Sequence, residues 1–552
     1  MISLLFVVSP LLAPNAAPVN DVLLDIVAPP GCYFEHPLCR LLDFDGDQLP
    51  DFADVLRDAS GGCGVEIRSG ADGSLLRTIL DPDPYFGQSI ADAGDLDGDG
   101  SGDVIVGGSN SARVCSGRTG AVLLALPGPS SPDRYGYSVA RLGDVDGDGL
   151  PDFAVGAPQR IVSGGGDHWT MITTGPGYVD IRSGANGSVL RVLHGSGIGI
   201  AFGGSVCAIG DADGDGVEDV AVSGFLEPIP MGPTSLTLFS GATGSPLWQN
   251  DEFSGVVSRL GDIDQDGRND LLIGNRFGSR VVALSGANGS KLWIHGPRQE
   301  VWQAVDRYGT SVSAVGDLDG DGFPDVIAGA AQPSVSSTFG LYRVGPGYAE
   351  ALSGRTGTCL SSIVGADWGA ALGTAVSGLE DMDHDGRPEL LVAEPGLARL
   401  RVFSGDSRNS SPQNYCVSVP NSSGSAARIG WSGSISIGAN DLVLDVQGAV
   451  PGRPGFFLTS TSASALRLGS VADLVPSGFE CLGHRQHFKI GPIAQVDAAG
   501  GAQSRFDAQN PASGPGSVTP GCTWNFQFVY RDPNGWSLQT NRSDALSVSF
   551  RP

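Results

Sequence analysis

Carboxylates at alternate positions of a tight loop can surround a hard cation, and this chain writes such a loop seven times. In the first loop Asp43, Asp45, Asp47 and Asp51 hold positions 1, 3, 5 and 9. The same positions are held by Asp95, Asp97, Asp99 and Asp103, then by Asp144, Asp146, Asp148 and Asp152. Asp211, Asp213, Asp215 and Asp219 follow, with Asp262, Asp264, Asp266 and Asp270 after them. The last two sets are Asp317, Asp319, Asp321 and Asp325, and Asp381, Asp383, Asp385 and Glu389. Position 7 is expected to offer its backbone carbonyl, which leaves its side chain free to vary: Leu49, Ser101, Leu150, Val217, Arg268, Phe323 and Arg387. A calcium ion takes six to eight oxygens at about 2.3–2.6 Å, and this spacing supplies them much as an EF-hand loop does. Up to seven Ca²⁺ ions are therefore expected. Calcium is favoured over magnesium because the loop is flexible and rich in carboxylates, with no phosphate to share.

Glycine at position 6 of six loops permits the sharp turn that a side chain resists. The first loop has Gln48 there, and the last has Glu389 in place of aspartate, so these two are the weakest matches. Asp-Gly pairs are also good turn formers in their own right. That alternative accounts for one or two loops, but not for four carboxylates at fixed spacing in all seven. No loop is flanked by helical sequence, and the EF-hand glutamate at position 12 is missing. These read as strand–loop–strand sites.

The loops also explain the charge. Lys and Arg total 33 against 60 Asp and Glu, a formal net charge of −27, and the loops hold 28 of those acids. Nucleic acid is an unsuitable partner for such a chain. Crowded carboxylates repel one another, so an empty loop should splay, and cation binding should add to folding stability.

The leading aspartates recur every 49 to 67 residues, and each loop is followed by a short apolar strand. A period near 50 with several short strands in each unit is the mark of a propeller or solenoid array. In the second unit YFGQSIADAG leads into the loop, and DVIVGG, ARVCSG and AVLLALPG follow it. That makes four strands, one propeller blade. Hairpin tips at Asp72, Asn186 and Asn288 supply the left-handed turns such strands need. The seventh unit lacks a fourth apolar strand, and DVLLDIVA at Asp21–Ala28 resembles the missing piece. The N-terminal strand is therefore expected to close the ring, removing a free sheet edge.

Two motifs recur together in order. Aromatic–glycine openings stand at Phe86-Gly87, Tyr135-Gly136, Phe202-Gly203, Tyr308-Gly309 and Trp368-Gly369, with Phe253-Ser254 as a degenerate version. Gly156-Ala157-Pro158 is the fullest counterpart after the loop, with Gly107-Gly108 and Gly329-Ala330 as looser ones. Over roughly residues 30–410 the chain resembles the FG-GAP repeats of integrin α-subunit propellers, and is similar to their secreted bacterial relatives. The resemblance implies a seven-bladed β-propeller with calcium bound between the first and second strands of a blade.

The expected organisation is a signal peptide at 1–17, an FG-GAP propeller at 18–411 and a C-terminal β-sandwich domain at 412–552. The opening MISLLFVVSPLLAPNAAPVND has the apolar run and small residues of an export signal, though no Lys or Arg precedes the run. It is too short, and broken by Pro10, to span a bilayer. A secreted or cell-surface location follows as an expectation. The tail has no acidic loop and alternates apolar with polar residues in several short runs, as strands of a sandwich do. Nine cysteines leave at least one unpaired. Cys32 and Cys39 could bridge locally with Cys63 competing, Cys416 and Cys481 form the favoured tail pair, and Cys115, Cys207 and Cys359 read as small buried residues.

Loops joining second and third strands would lie on the rim away from the acidic loops. They are enlarged at Gln159–Gly177, with His168 and Trp169, and at Gln332–Gly347, with Tyr342; Leu226–Pro233 is a smaller insertion. Both large insertions end in G-P-G-Y, whose tyrosine is expected to pack between blades, as is the aromatic of each opening. Variable loops on a rigid scaffold are where binding usually lives. The expected function is an extracellular calcium-binding adhesion module for protein or glycan ligands on that rim, with calcium structural and no catalytic residue to name. The alternative is a propeller enzyme cleaving polysaccharide or phosphoester. No G-x-S-x-G elbow or HExxH helix supports it.

Overall fold

A computed structural model of the chain describes residues 22–550 except for internal segments, the longest being 225–234, 297–306, 332–346, 406–412, 468–478, 512–517 and 533–539. The expected signal peptide lies outside the described residues. Among those described, the chain is all-β; the one helical element is a single 3-10 turn, Pro395–Leu397.

Seven four-stranded antiparallel sheets follow one another along the chain. The second is typical: Ser89–Gly94, Asp103–Gly107, Ser111–Cys115 and Val122–Pro127, hydrogen-bonded in that order. Each first strand lies against the first strand of the next sheet, and Val376–Gly378 of the seventh lies against Cys32–Arg40 of the first. The series returns to its start, which is the arrangement of a β-propeller. Its seventh sheet takes its outer strand from the N-terminus: Val22–Val27 pairs antiparallel with Arg399–Phe403.

Burial follows strand order. Second strands such as Asp103–Gly107, Phe153–Ala157 and Val326–Ala330 are buried at every residue, so they read as continuous apolar runs. Fourth strands are largely open, with Leu75–Leu80, Val122–Pro127 and Val189–His194 sharing one pattern in which a single residue is buried.

The aromatic–glycine openings are joints between sheets. Phe86, Tyr135, Phe202, Phe253 and Tyr308 are wholly buried. The Gly136 amide donates to the Gly156 carbonyl of its own sheet at 3.0 Å, while its own carbonyl accepts from Ser89 Oγ of the preceding sheet at 2.9 Å. A Cβ on Gly107 would collide with that same carbonyl, so the preceding sheet needs glycine there. Ser138 repeats the bond to Gly203 at 2.8 Å, and Ser311 to Gly373 at 3.0 Å. In the seventh sheet Leu372-Gly373 forms the joint, its amide donating to Ala393 O at 3.0 Å; Trp368 of the expected Trp368-Gly369 pair lies outside the described residues. Leucine fills the place that an aromatic holds in the other joints.

The tail forms a five-stranded and a three-stranded sheet around a core of their own. Ile429, Leu444 and Val446 of the smaller sheet share it with Phe457, Phe526 and Leu546 of the larger. A separate hairpin pairs Ala463–Arg467 with Phe479–Leu482. Cys32 and Cys39 lie on one strand and are both free, so the local bridge considered for them does not form. Cys115 is buried, whereas Cys207 and Cys359 are only partly so. Cys416 and Cys522 lie outside the described residues.

Candidate metal centres

Every acidic loop joins the first and second strands of its sheet, as with Asp95–Asp103 between Ser89–Gly94 and Asp103–Gly107. In that loop Asp95 Oδ1 accepts from the amides of Gly98 at 2.8 Å and Asp99 at 3.1 Å, and its Oδ2 from Gly100 at 2.9 Å. Asp97 Oδ1 accepts from the Asp99 amide at 3.1 Å, and Asp99 Oδ1 from Ser101 at 2.8 Å. The backbone thus aims the carboxylates and engages one oxygen each of Asp97 and Asp99. The loop at Asp144 repeats these bonds, with Gly147, Asp148, Gly149 and Leu150 as donors.

Two residues of each loop are left-handed, not one. Position 6 has φ of 84° at Gly100 and 74° at Gln48; position 4 has φ of 73° at Gly98, 63° at Gln265 and 61° at His384. The expected need for glycine at position 6 extends to position 4, and three loops meet one of the two needs with a side chain at a local cost.

The ninth position differs from the others. Asp103 is fully buried, and each of its oxygens takes a backbone amide: Oδ2 from Leu96 at 2.8 Å and Oδ1 from Gly117 at 3.1 Å. Gly117 belongs to the Ser-Gly pair that ends the third strand. Gly70 fills this role for Asp51, Gly184 for Asp152, Gly241 for Asp219, Gly286 for Asp270 and Gly354 for Asp325, at 2.9–3.0 Å. A Cβ on any of these glycines would strike the carbonyl of loop position 8. The Ser-Gly pairs recur after every loop, and that recurrence is the signal in the sequence that marks the brace. In the fourth, fifth and seventh sheets the serine of the pair also reaches the fifth-position carboxylate: Ser240, Ser285 and Ser404 lie 3.4–3.5 Å from Asp215, Asp266 and Asp385.

Glu389 is the exception at position 9. Its Oε2 accepts from the Met382 amide at 2.7 Å, while Oε1 is buried without a hydrogen-bond partner among the described residues. Here Asp381, Asp383, Asp385 and Glu389 all offer oxygens within 4.8 Å of one another. Asp43, Asp45 and Asp51 form such a group, as do Asp95, Asp97 and Asp99; Asp144, Asp146 and Asp152; and Asp211, Asp213 and Asp219.

Burial pushes the ninth-position carboxyls up, against the pull of their amides: Asp51, Asp103, Asp219 and Asp270 to about 6, Asp325 to about 7 and Glu389 to about 8. On the solvent side the amide of Gly216 leads the groups that hold Asp211 below its usual range. Such an arrangement, all oxygen, braced by amides and crowded with negative charge, suits a hard divalent cation. The orphaned Glu389 oxygen is the kind of buried acceptor that a cation would satisfy. The side chains at positions 1, 3, 5 and 9 offer only oxygen; the seventh loop also carries Met382 at position 2 and His384 at position 4.

On the other rim the first insertion carries a hairpin of its own, Arg160–Gly165 with His168–Thr173. The G-P-G-Y segments are structural. Gly177 and Gly347 bridge to Phe202 and Leu372 of the following joint, Tyr178 and Tyr348 are buried, and Tyr348 stacks on Tyr308 with centroids 5.8 Å apart. The insertions at 226–233 and 332–346, including Tyr342, lie outside the described residues.

Residues 95–155 and 262–328 match the family of FG-GAP-like repeats, and residues 308–349 match the FG-GAP repeat. Integrin alpha-PS5 of Drosophila melanogaster is 31% identical over 202 residues, 32% of this chain and 19% of that subunit. Integrin alpha-V of Gallus gallus is 30% identical over 34% of this chain and 20% of its own length. The chain therefore spans about a fifth of these relatives. Among solved structures the V. cholerae biofilm matrix protein Bap1 superposes with a TM-score of 0.39 at 13% identity, over 71% of this chain and 92% of that one. The chain carries FG-GAP repeats and is similar over a third of its length to integrin α-subunits.

Proposed function

We propose that this protein is an extracellular calcium-stabilised adhesion module: a seven-bladed propeller over 18–411, a sandwich domain over 412–552, and a ligand-binding rim opposite the acidic loops. Calcium is held by the carboxylates at positions 1, 3, 5 and 9 with the carbonyl at position 7, and its part is structural. The observation that carries this reading is the repeated bracing of a buried ninth-position carboxylate beneath a ring of exposed ones. Desolvating an acid under further acids is costly unless a cation balances it. The similarity to integrin α-subunits supports an adhesive role, and the second-to-third-strand insertions support the opposite rim as the ligand face, with a protein or glycan as the partner.

A site kept at ten times its dissociation constant adds about 1.4 kcal/mol to folding. Several such sites should move the unfolding temperature by many degrees. The test is calorimetry with millimolar calcium and after exhaustive chelation, with bound metal measured by elemental analysis. Equal melting curves and no bound calcium would remove the proposal. Glycan and matrix-protein arrays with and without calcium, and with the hairpin at 160–173 shortened to a turn, test the ligand face.

A further inference from the structure

The second residue of a loop faces two ways. The Phe44 amide donates to Asp51 Oδ2 at 2.7 Å, which ties its backbone to the buried carboxylate of the first loop. Its ring lies over the second loop: a Cβ on Gly102 would come within 2.9 Å of it, and a Cβ on Gly117 would collide with it. Ser101 Oγ, from the seventh position of the second loop, reaches the Phe44 carbonyl at 3.4 Å. Gly117 is the glycine whose amide braces Asp103. One residue therefore joins the buried carboxylate of one loop to the brace of the next.

The pattern recurs. Leu96 donates to Asp103 at 2.8 Å, and its side chain lies 3.3 Å from the Cβ position of Gly184, the brace of Asp152. Leu318 donates to Asp325 at 2.7 Å and reaches within 2.7 Å of the Cβ position of Gly405 in the seventh sheet. Between the fourth and fifth sheets the link runs backwards: Arg268, at position 7 of the fifth loop, donates to the carbonyl of Asp211 at 3.1 Å.

We infer that cation occupancy is coupled between neighbouring loops, with Phe44, Leu96 and Leu318 transmitting order from one ninth-position carboxylate to the next brace. The inference rests on the calcium reading above. The two-state element is the loop itself, splayed by repulsion when empty and drawn in around an ion. Drawing in the first loop fixes Asp51, and with it the Phe44 backbone. The ring is then held against Gly102 and Gly117, and the second loop starts closer to its bound form. Linkage makes the effect mutual. The rim should respond to calcium over a narrower range than independent sites would.

Hydrogen exchange on the full chain across a calcium titration gives a midpoint for each loop. Asp47→Asn disables the first loop and should raise the midpoint of the second, read at the Leu96 and Gly117 amides, by at least about threefold. The fourth loop, read at Ala212 and Gly241, should not move. In Phe44→Ala protein the same Asp47→Asn change should leave the second loop where it is, as a double-mutant cycle requires. If Phe44→Ala disturbs the first sheet, Leu96→Ala with Asp99→Asn tests the same link between the second and third loops. A second-loop midpoint unmoved by Asp47→Asn, or moved equally with and without Phe44, overturns the coupling. Calcium leaving protection unchanged in every loop would overturn the cation reading itself.

Discussion

The ninth-position carboxylate and the glycine of the Ser-Gly pair form one unit, although 14 residues separate Asp103 from Gly117 and 32 separate Asp152 from Gly184. Two kinds of glycine serve the second loop, and substitution should tell them apart. Gly100 is left-handed at φ 84° with open space where a Cβ would go. Gly100→Ala should therefore cost about 1 kcal/mol, the backbone penalty alone. A Cβ on Gly117 would meet the Gly102 carbonyl and the Phe44 ring together, and neither can withdraw without moving a loop. Gly117→Ala should cost about 3 kcal/mol or more. Denaturant midpoints with calcium present decide the matter, and equal losses for the two variants would show that Gly117 is not a brace.

Between sheets the contacts are polar as well as apolar, and one of them involves a titratable histidine. His295 Nε2, on the outer strand of the fifth sheet, meets Glu350 Oε2 of the sixth at 3.2 Å, beside the Tyr308 ring. Burial alone would pull His295 down, but the hydrogen bond and charge of Glu350 outweigh it and leave the imidazole above its ordinary value. A histidine raised in the folded state contributes stability that is full below its unfolded pKa and is lost as pH rises through the folded one. Glu350→Gln should thus destabilise the protein by about 1 kcal/mol at pH 6 and hardly at all at pH 9. Unfolding midpoints at the two values check this; a loss independent of pH would assign Glu350 a packing role only. Contacts of this kind mark where sequence reading stopped. Strands and acidic loops were legible because alternation and aspartate spacing are local. The joints were half legible: aromatic–glycine pairs stood out, yet the serine three residues after Phe86, Tyr135 and Tyr308 did not, because its acceptor is in the next sheet. Leu372-Gly373 was hidden because burial selects for a large apolar group, and leucine satisfies that as phenylalanine does. The pairing of Asp103 with Gly117 could not be read at all, since a brace is a fact about two strands.

For the molecule as a whole, the decisive contact joins its most distant parts. Val22–Val27 pairs with Arg399–Phe403 along its length, and Ala28 N donates to Ala398 O at 2.9 Å. The strand also packs outside its own sheet: Ile26 lies 2.8 Å and Leu24 3.6 Å from the Cβ position of Gly73, in the hairpin turn of the first sheet. The Asp25–Arg399 ion pair, at 3.5 Å and well exposed, adds little. Removing residues 22–27 would strip a strand of backbone bonds from Arg399–Phe403 and uncover the partly buried Leu23, Leu24 and Ile26 contacts. The loss should be roughly 3–5 kcal/mol from apolar burial and hydrogen bonds together. It should also leave an open edge, so the shortened chain should self-associate as its concentration rises. A synthetic peptide of residues 21–28 added in trans should restore the midpoint and suppress association, because the groove it fills is already shaped by the third strand of the seventh sheet and the turn of the first. Light scattering and denaturant unfolding of the shortened chain, with and without the peptide, measure both effects. An unchanged midpoint in the shortened chain would mean that the ring holds without its N-terminal strand.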